Sequence, residues 1–196
     1  MLEQIRSYLN KNMALTDAQF ETISANLRIR TFSKGETILR AGEIGTYSFF
    51  VNKGLLRCFS IDEKGKEHII QFAPENWWIS DRNSILFNEP SDFFYDATEE
   101  TEAVVIPKDF FEQAALLVPC LLNMNNIMLH KSIRFMQKRI NMLLSATAEE
   151  RYLDFIHLYP NLTLRVPQWM IASYLGITPE SLSRVRKDLA RKHFKG

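Results

Sequence analysis

The sequence predicts an α+β chain: an antiparallel β-sandwich or small barrel, then a long helix, then a helix-turn-helix. Three observations point there. Five of the seven glycines fall in the first 65 residues, none lies between Gly65 and Gly176, and eleven of the fourteen phenylalanines precede residue 112. Beyond Pro107 the apolar spacing becomes helical. Charge is also segregated. From Arg165 onward seven Lys/Arg stand against Glu180 and Asp188, a net of +5, whereas the preceding residues carry 17 basic and 21 acidic side chains, a net of −4. A chain of 196 residues, 46% hydrophobic, is long enough for one large or two small cores.

Taken in order, Thr16 is a helix N-cap and a helical stretch follows to about Leu27. Short runs rich in Phe, Ile, Val and Tyr then predict strands over 28–32, 37–40, 47–52, 55–61, 68–72, 93–97 and 102–106. Turns at Gly35, Gly42, Gly54 and Gly65 separate the first of these, the pattern of an antiparallel sandwich or small barrel. A short helix is expected over 109–117, stopped near Pro119, and one long helix over 119–144 with no glycine or internal proline. That helix has two apolar stripes and so needs two partners. The simplest arrangement sets Leu121, Met124, Met128, Phe135 and Met142 against a second copy as a coiled-coil seam, with Leu122, Leu129, Ile133, Met136, Ile140 and Leu143 covering the chain's own barrel. Burial of the whole helix within one domain is the alternative. Thr147 with Glu150 three residues on is a capping box that opens a further helix to about Leu158. The division expected is 1–118, 119–144 and 145–196.

The last segment carries the chemistry. From Gln168, apolar residues fall at Ile171, Leu175, Ile177, Leu182 and Val185, with small Ala172 where two crossing helices touch and Gly176 in the tight turn between them. Thr178 caps the second helix, with Pro179 at its first position. Its exposed residues are Glu180, Ser181, Arg184 and then Lys187 and Arg191. Glu and Arg near the start of a helix in the major groove can read cytosine and guanine edges, while later basic residues neutralise phosphates. The plainer alternative is an ordinary glycine C-cap beside a solvated basic face.

Several classes are excluded or disfavoured. No uncharged run spans a bilayer and no secretory signal opens the chain, so a cytoplasmic protein without a membrane partner is expected. Cys58 and Cys120 are 62 residues apart, which argues against zinc, an iron–sulfur cluster or a disulfide framework. His68 lacks companion ligands for a metal, so neither metal nor cofactor is expected. Trp77-Trp78 reads as core in preference to a pocket lining, and Met124, Met128, Met136 and Met142 as helix packing.

Val166 to Lys187, with Ala172, Leu175-Gly176, Thr178 and Glu180-Ser181-Leu182-Ser183-Arg184, resembles the helix-turn-helix of Crp/Fnr-type bacterial transcription regulators. The resemblance spans the whole chain, through the glycine turns of the N-terminal half, the long helix and the hinge. It implies a jelly-roll sensor barrel of the cyclic-nucleotide-binding type, a homodimer through the long helix, and double-stranded DNA operators of two-fold symmetry. DNA contacts would come from Gln168, Thr178, Glu180, Ser181, Arg184, Arg186 and Lys187, and RNA polymerase is a further partner the resemblance admits. Two departures stand out. Pro179 occupies a position that is often Arg in the family, and the module is winged-helix-like with its second wing absent or the chain truncated. No effector is identified: between 70 and 107 Arg82 is the one basic residue among eight acids, so a cyclic phosphate meets net repulsion there. A cupin-like barrel enzyme or a protein-interaction scaffold dimer are the competing functions.

Overall fold

In the computed structural model residues 2–193 are described. The chain groups into two compact units, Met1–Ile61 with Ile70–His130, and Asp62–Ile69 with Lys131–Gly196.

The first unit opens with helices α1 (Glu3–Asn12) and α2 (Asp17–Ser24), the latter started by a full capping box between Thr16 and Gln19. Strands β1 (Arg28–Phe32), β2 (Thr37–Leu39), β3 (Tyr47–Lys53), β4 (Leu56–Ile61), β5 (Glu67–Ala73), β6 (Trp78–Ile79), β7 (Phe94–Ala97) and β8 (Thr101–Pro107) follow, with α3 (Arg82–Phe87) between β6 and β7 and α4 (Phe110–Leu117) after β8. They form two four-stranded sheets, ordered β1-β8-β3-β6 and β2-β7-β4-β5. Of the sandwich and the closed barrel left open by the sequence, the structure is the former. All seven expected strands are present, with ends that differ by a residue or so.

Alternation along β3 sorts the core. Phe49 and Val51 point between the sheets, where they meet Phe32, Leu56, Cys58, Tyr95 and Ala97, while Phe50 points to the other face. There it meets Ile5 and Leu9 of α1, Phe20 and Ile23 of α2, and Val104 and Ile106 of β8. Trp77 and Trp78 likewise diverge. Trp77 packs against the inter-sheet cluster, and Trp78 stacks with Tyr8, Phe50 and Phe111 on the helical side.

Helix α5 (Cys120–Ser145) corrects one expectation. Leu121 and Met124 are buried in the helical cluster of the first unit and Met128 packs against it, while Phe135 and Met142 line a small cavity with Tyr174 and Leu175. Leu121 and Met124 are therefore turned into the first unit, and Met128, Phe135 and Met142 are half-buried. The stripe left open to solvent is the other one: Leu122 is 47% exposed, Ile133 52%, Met136 49% and Ile140 57%. Neighbouring stripes on one helix differ by a rotation of about 100°. Leu121 and Met124 lie in the buried cluster that also holds Ile5 and Leu9 of α1 and Phe110 and Ala114 of α4.

The second unit contains the later part of α5, α6 (Ala148–Leu158), α7 (Leu162–Arg165), α8 (Gln168–Leu175) and α9 (Pro179–His193). The capping box at Thr147 is formed as expected: Thr147 Oγ1 accepts from the Glu150 N–H at 3.2 Å, and the Glu150 carboxylate accepts from the Thr147 N–H at 2.8 Å. Those hydrogen bonds hold the Glu150 pKa below the usual carboxylate range. The turn Asp62–Ile69 is tied to α8 through one side chain. Ser173 Oγ accepts from the Ile69 N–H and donates to the Glu67 carbonyl, both at 3.0 Å. Arg139 donates to the Ile69 carbonyl at 3.0 Å and lies 3.5 Å from the centre of the Tyr174 ring. The expectation of a missing wing beyond the last helix falls outside the described residues. Among the described residues no helix is long and apolar enough to cross a membrane.

Candidate nucleic-acid interface

The turn between α8 and α9 is built by backbone geometry that glycine permits. Gly176 adopts φ 65° and ψ 35°, and its N–H together with that of Ile177 caps α8, with Ile177 N donating to the Ala172 carbonyl at 3.0 Å and Gly176 N to the Ser173 carbonyl at 3.1 Å. An added Cβ there would lie 3.2 Å from Leu143 Cδ2 and 3.4 Å from Arg151 Nη1. The left-handed conformation favours glycine, and a Cβ would be accommodated only if the Leu143 side chain gave way by a few tenths of an ångström. Arg151, from α6, donates to the Leu175 carbonyl at 2.7 Å and fixes the same turn from beneath. Ile171, Ala172, Leu175 and fully buried Leu182 close the small core that sets the crossing of the two helices. It is joined by the aromatic cluster of Phe155, Tyr159 and Tyr174, whose ring centroids lie 5.3–5.8 Å apart.

With Leu182 inward, the 100° step of a helix sends Glu180, Arg184, Lys187 and Arg191 to the opposite side of α9. All four are exposed. Thr178 caps the helix, its Oγ1 accepting from the Ser181 N–H at 3.2 Å. Hydrogen bonds from its own N–H and from Thr178 hold the Glu180 pKa below the ordinary range, so this carboxylate is an acceptor at the helix N-terminus. Gln168 and Arg186, which the sequence placed in the interface, meet Ser183 and Lys187 around one shallow groove of about 330 Å³ at the start of α8. The expected residues thus separate into an outward stripe and a flanking groove.

The C-terminal charge is only partly free. Lys192 reaches Glu149 of α6 at 2.7 Å and Arg191 stands 4.0 Å from Asp188. Arg184, Arg186 and Lys187 have no ion pair or hydrogen bond among the described residues. The pairing of Lys192 was not legible in the sequence, because Glu149 is 43 residues distant.

The first unit has its own polar interior. Asp81, 5% exposed, caps α3 by accepting from the Ser84 N–H at 2.8 Å and also accepts from Ser91 Oγ. Burial pushes the Cys58 thiol up to about 12, and burial with Cys58 and Asp81 nearby raises the Tyr95 phenol, so both stay protonated. Arg57 on β4 stands directly across from Asp96 on β7 and binds it through two hydrogen bonds, Nε to Oδ1 at 2.7 Å and Nη2 to Oδ2 at 2.8 Å. Their side chains are only 8% and 14% exposed. His68 pairs instead with Asp62 at 2.9 Å, a bond that lowers the Asp62 pKa. Among the described residues no three His, Cys, Asp or Glu cluster as metal ligands would.

Comparison with known proteins agrees with this geometry. The cyclic nucleotide-binding domain family matches residues 29–116. The transcriptional activator protein FnrA of Stutzerimonas stutzeri is 28% identical over 190 residues, which span 90% of this chain and 75% of that protein. The transcriptional activator protein Anr of Pseudomonas protegens is 27% identical over 191 residues, with the same coverage of 90% and 75%. Among solved structures, FixK2 from Bradyrhizobium japonicum has a TM-score of 0.73 at 20% identity, covering 85% of this chain and 86% of its own. A transcriptional regulator of the Crp/Fnr family from Eubacterium rectale has a TM-score of 0.67 at 19% identity, covering 91% and 85%. The two solved structures speak for the fold, and the two activators extend the likeness in sequence from the sandwich through the helix-turn-helix. The chain is thus similar in sequence to these transcriptional activators and in fold to the Crp/Fnr-type structures.

Proposed function

We propose that this chain is a sequence-specific DNA-binding transcription regulator that acts as a homodimer, with α9 read into the major groove and the first unit as its sensor. The observation that carries the reading is the outward stripe of α9, with Arg184 and Lys187 unpaired among the described residues, beside a left-handed turn at Gly176. A barrel enzyme would need a catalytic or metal cluster, and a protein-binding scaffold would have no use for an unpaired guanidinium stripe on a helix.

Dimerisation is supported by the open stripe of α5. Leu122, Asn126, Leu129, Ile133, Met136, Ile140 and Leu143 alternate in steps of four and three, with Asn126, Ile133 and Ile140 at one heptad position and Leu122, Leu129, Met136 and Leu143 at the other. β-branched residues at a with Leu or Met at d suit a parallel two-stranded seam, and a lone Asn at a fixes its register. A parallel pair would set two recognition helices for half-sites about 34–36 Å apart.

Arg184→Ala is expected to reduce the preference for operator over random DNA by about 1–3 kcal/mol, because Arg184 lies within the first two turns of α9, where side chains reach base edges. Lys187→Ala, on the side of the Gln168–Arg186 groove, is expected to weaken both about equally and to lower the salt slope by about one. Competition binding measures both. An unchanged specificity ratio for Arg184→Ala would contradict the assigned helix face.

Cyclic AMP and cyclic GMP do not fit the sensor. A buried cyclic phosphate without a matching charge costs several kcal/mol, at least about 2. Arg57 is committed to Asp96, and half-buried Arg82 has its pKa lowered by desolvation next to the carboxylate of Asp81. Isothermal titration is expected to show no dissociation constant below about 10 μM for either nucleotide, about 7 kcal/mol. A tighter one would make Arg82 the missing partner.

A further inference from the structure

The two sheets of the first unit part along the edges formed by β1 and β2, and between them lies a cleft of about 820 Å³. That is within the range of small-molecule sites. The cleft is remote in kind from the DNA-binding stripe: its lining comes from β1, β2, β3, β7 and β8 and the loops between them. Alternation along β1 places Arg28 and Arg30 on the same side as Phe32, whose side chain enters the inter-sheet core, while Ile29 packs on the helical cluster. Both guanidinium groups thus border the cleft.

The charges around it are unequal in what they still need. Arg30 pairs with Glu36 at 2.7 Å and lies 4.5 Å from the centre of the Phe32 ring. Glu43 accepts from the Arg40 N–H at 2.9 Å and stands 3.9 Å from its guanidinium. Asp81 accepts from the Ser84 N–H and from Ser91. Arg28 alone among these has no ion pair or hydrogen bond among the described residues. The walls beside it are apolar, from Ile38, Leu39, Phe49 and Val105.

We infer that the cleft binds a small monocarboxylic acid with an apolar body, its carboxylate held by Arg28 and its hydrocarbon laid along Leu39, Phe49 and Val105. A guanidinium offers a carboxylate two parallel N–H donors, which fixes orientation as well as charge. The apolar end displaces water from the inner faces of the sheets. One unmatched cation, in a cleft whose lining also carries Glu43 and Asp81, suits a single negative charge better than a multiply charged phosphate. Calling the occupant an effector rests on the regulator reading above, but its binding to the cleft does not.

The test is isothermal titration of the full chain with octanoate and with octanamide, its uncharged counterpart. Octanoate is expected to bind saturably below millimolar concentration, at least about tenfold more tightly than octanamide. Arg28→Gln, a change at an exposed side chain, is expected to remove that preference and leave the tryptophan-monitored unfolding transition unchanged. Equal affinity for octanoate and octanamide, wild-type octanoate binding by Arg28→Gln, or no saturable octanoate binding at millimolar concentration would each overturn the assignment. DNA affinity measured on the same preparation keeps the two readings apart. Its loss would count against the regulator, and loss of octanoate binding alone counts against the cleft.

Discussion

Arg57→Ala is expected to destabilise the first unit by about 3–5 kcal/mol, enough to leave a large fraction of it unfolded at ordinary temperature. Arg57 and Asp96 face each other across β4 and β7, two hydrogen bonds join them, and both are nearly removed from water. Removing the guanidinium leaves a carboxylate that is only 14% exposed without its partner. The Arg57 side chain also lies 4.1 Å from the centre of the Phe59 ring, which in turn stacks on Phe94 at 5.4 Å, so its loss opens a packing defect as well. Urea unfolding followed through Trp77 and Trp78 measures the change. Arg57→Met combined with Asp96→Leu is expected to recover most of the stability, since a buried ion pair is commonly matched by apolar residues of similar volume. If Arg57→Ala were as stable as the wild type, the pair would have to be wetter than its burial indicates.

Ile140→Asp is expected to convert the dimer to a monomer and to lower DNA affinity by about 10²–10⁴-fold, since the second half-site contact ceases to be intramolecular. Ile140 is 57% exposed in the single chain and sits in the C-terminal part of the open heptad stripe, with Met136 and Leu143 on either side. A carboxylate there meets its own copy across a parallel seam and is repelled. Leu121→Ala, by contrast, should unsettle the first unit and leave association unaffected in the folded fraction, because Leu121 is fully buried against α1. Sedimentation velocity separates the two. A dimer that survived Ile140→Asp would place the interface elsewhere on the chain.

What the sequence made legible was whatever local backbone chemistry decides. Glycines at Gly35, Gly42, Gly54 and Gly65 take positive φ in turns between strands, the Thr147–Glu150 box starts α6, and Gly176 turns α8 into α9. Elements whose reasons are tertiary were missed. Helix α1 has no side-chain cap at Leu2, and β6 is two residues long and exists through pairing with Phe49 and Phe50. Both stripes of α5 have heptad-like spacing, so spacing alone does not tell them apart, whereas the burial of Leu121 and Met124 in the helical cluster does. The cleft did leave a trace in sequence: Arg28 and Arg30 share the parity of Phe32 on one strand. That trace went unread because a charge on a β-strand ordinarily faces water.

The proposed function requires α9 to read DNA as one of a symmetric pair. Selection of bound sites from random-sequence DNA by the full chain, repeated at two salt concentrations, tests this most directly. The predicted outcome is a set of inverted repeats whose half-site centres lie about 10–10.5 base pairs apart or a multiple of that, bound with affinity that falls steeply as salt rises. Enriched sites without inverted symmetry, or an affinity for DNA indifferent to salt, would contradict it.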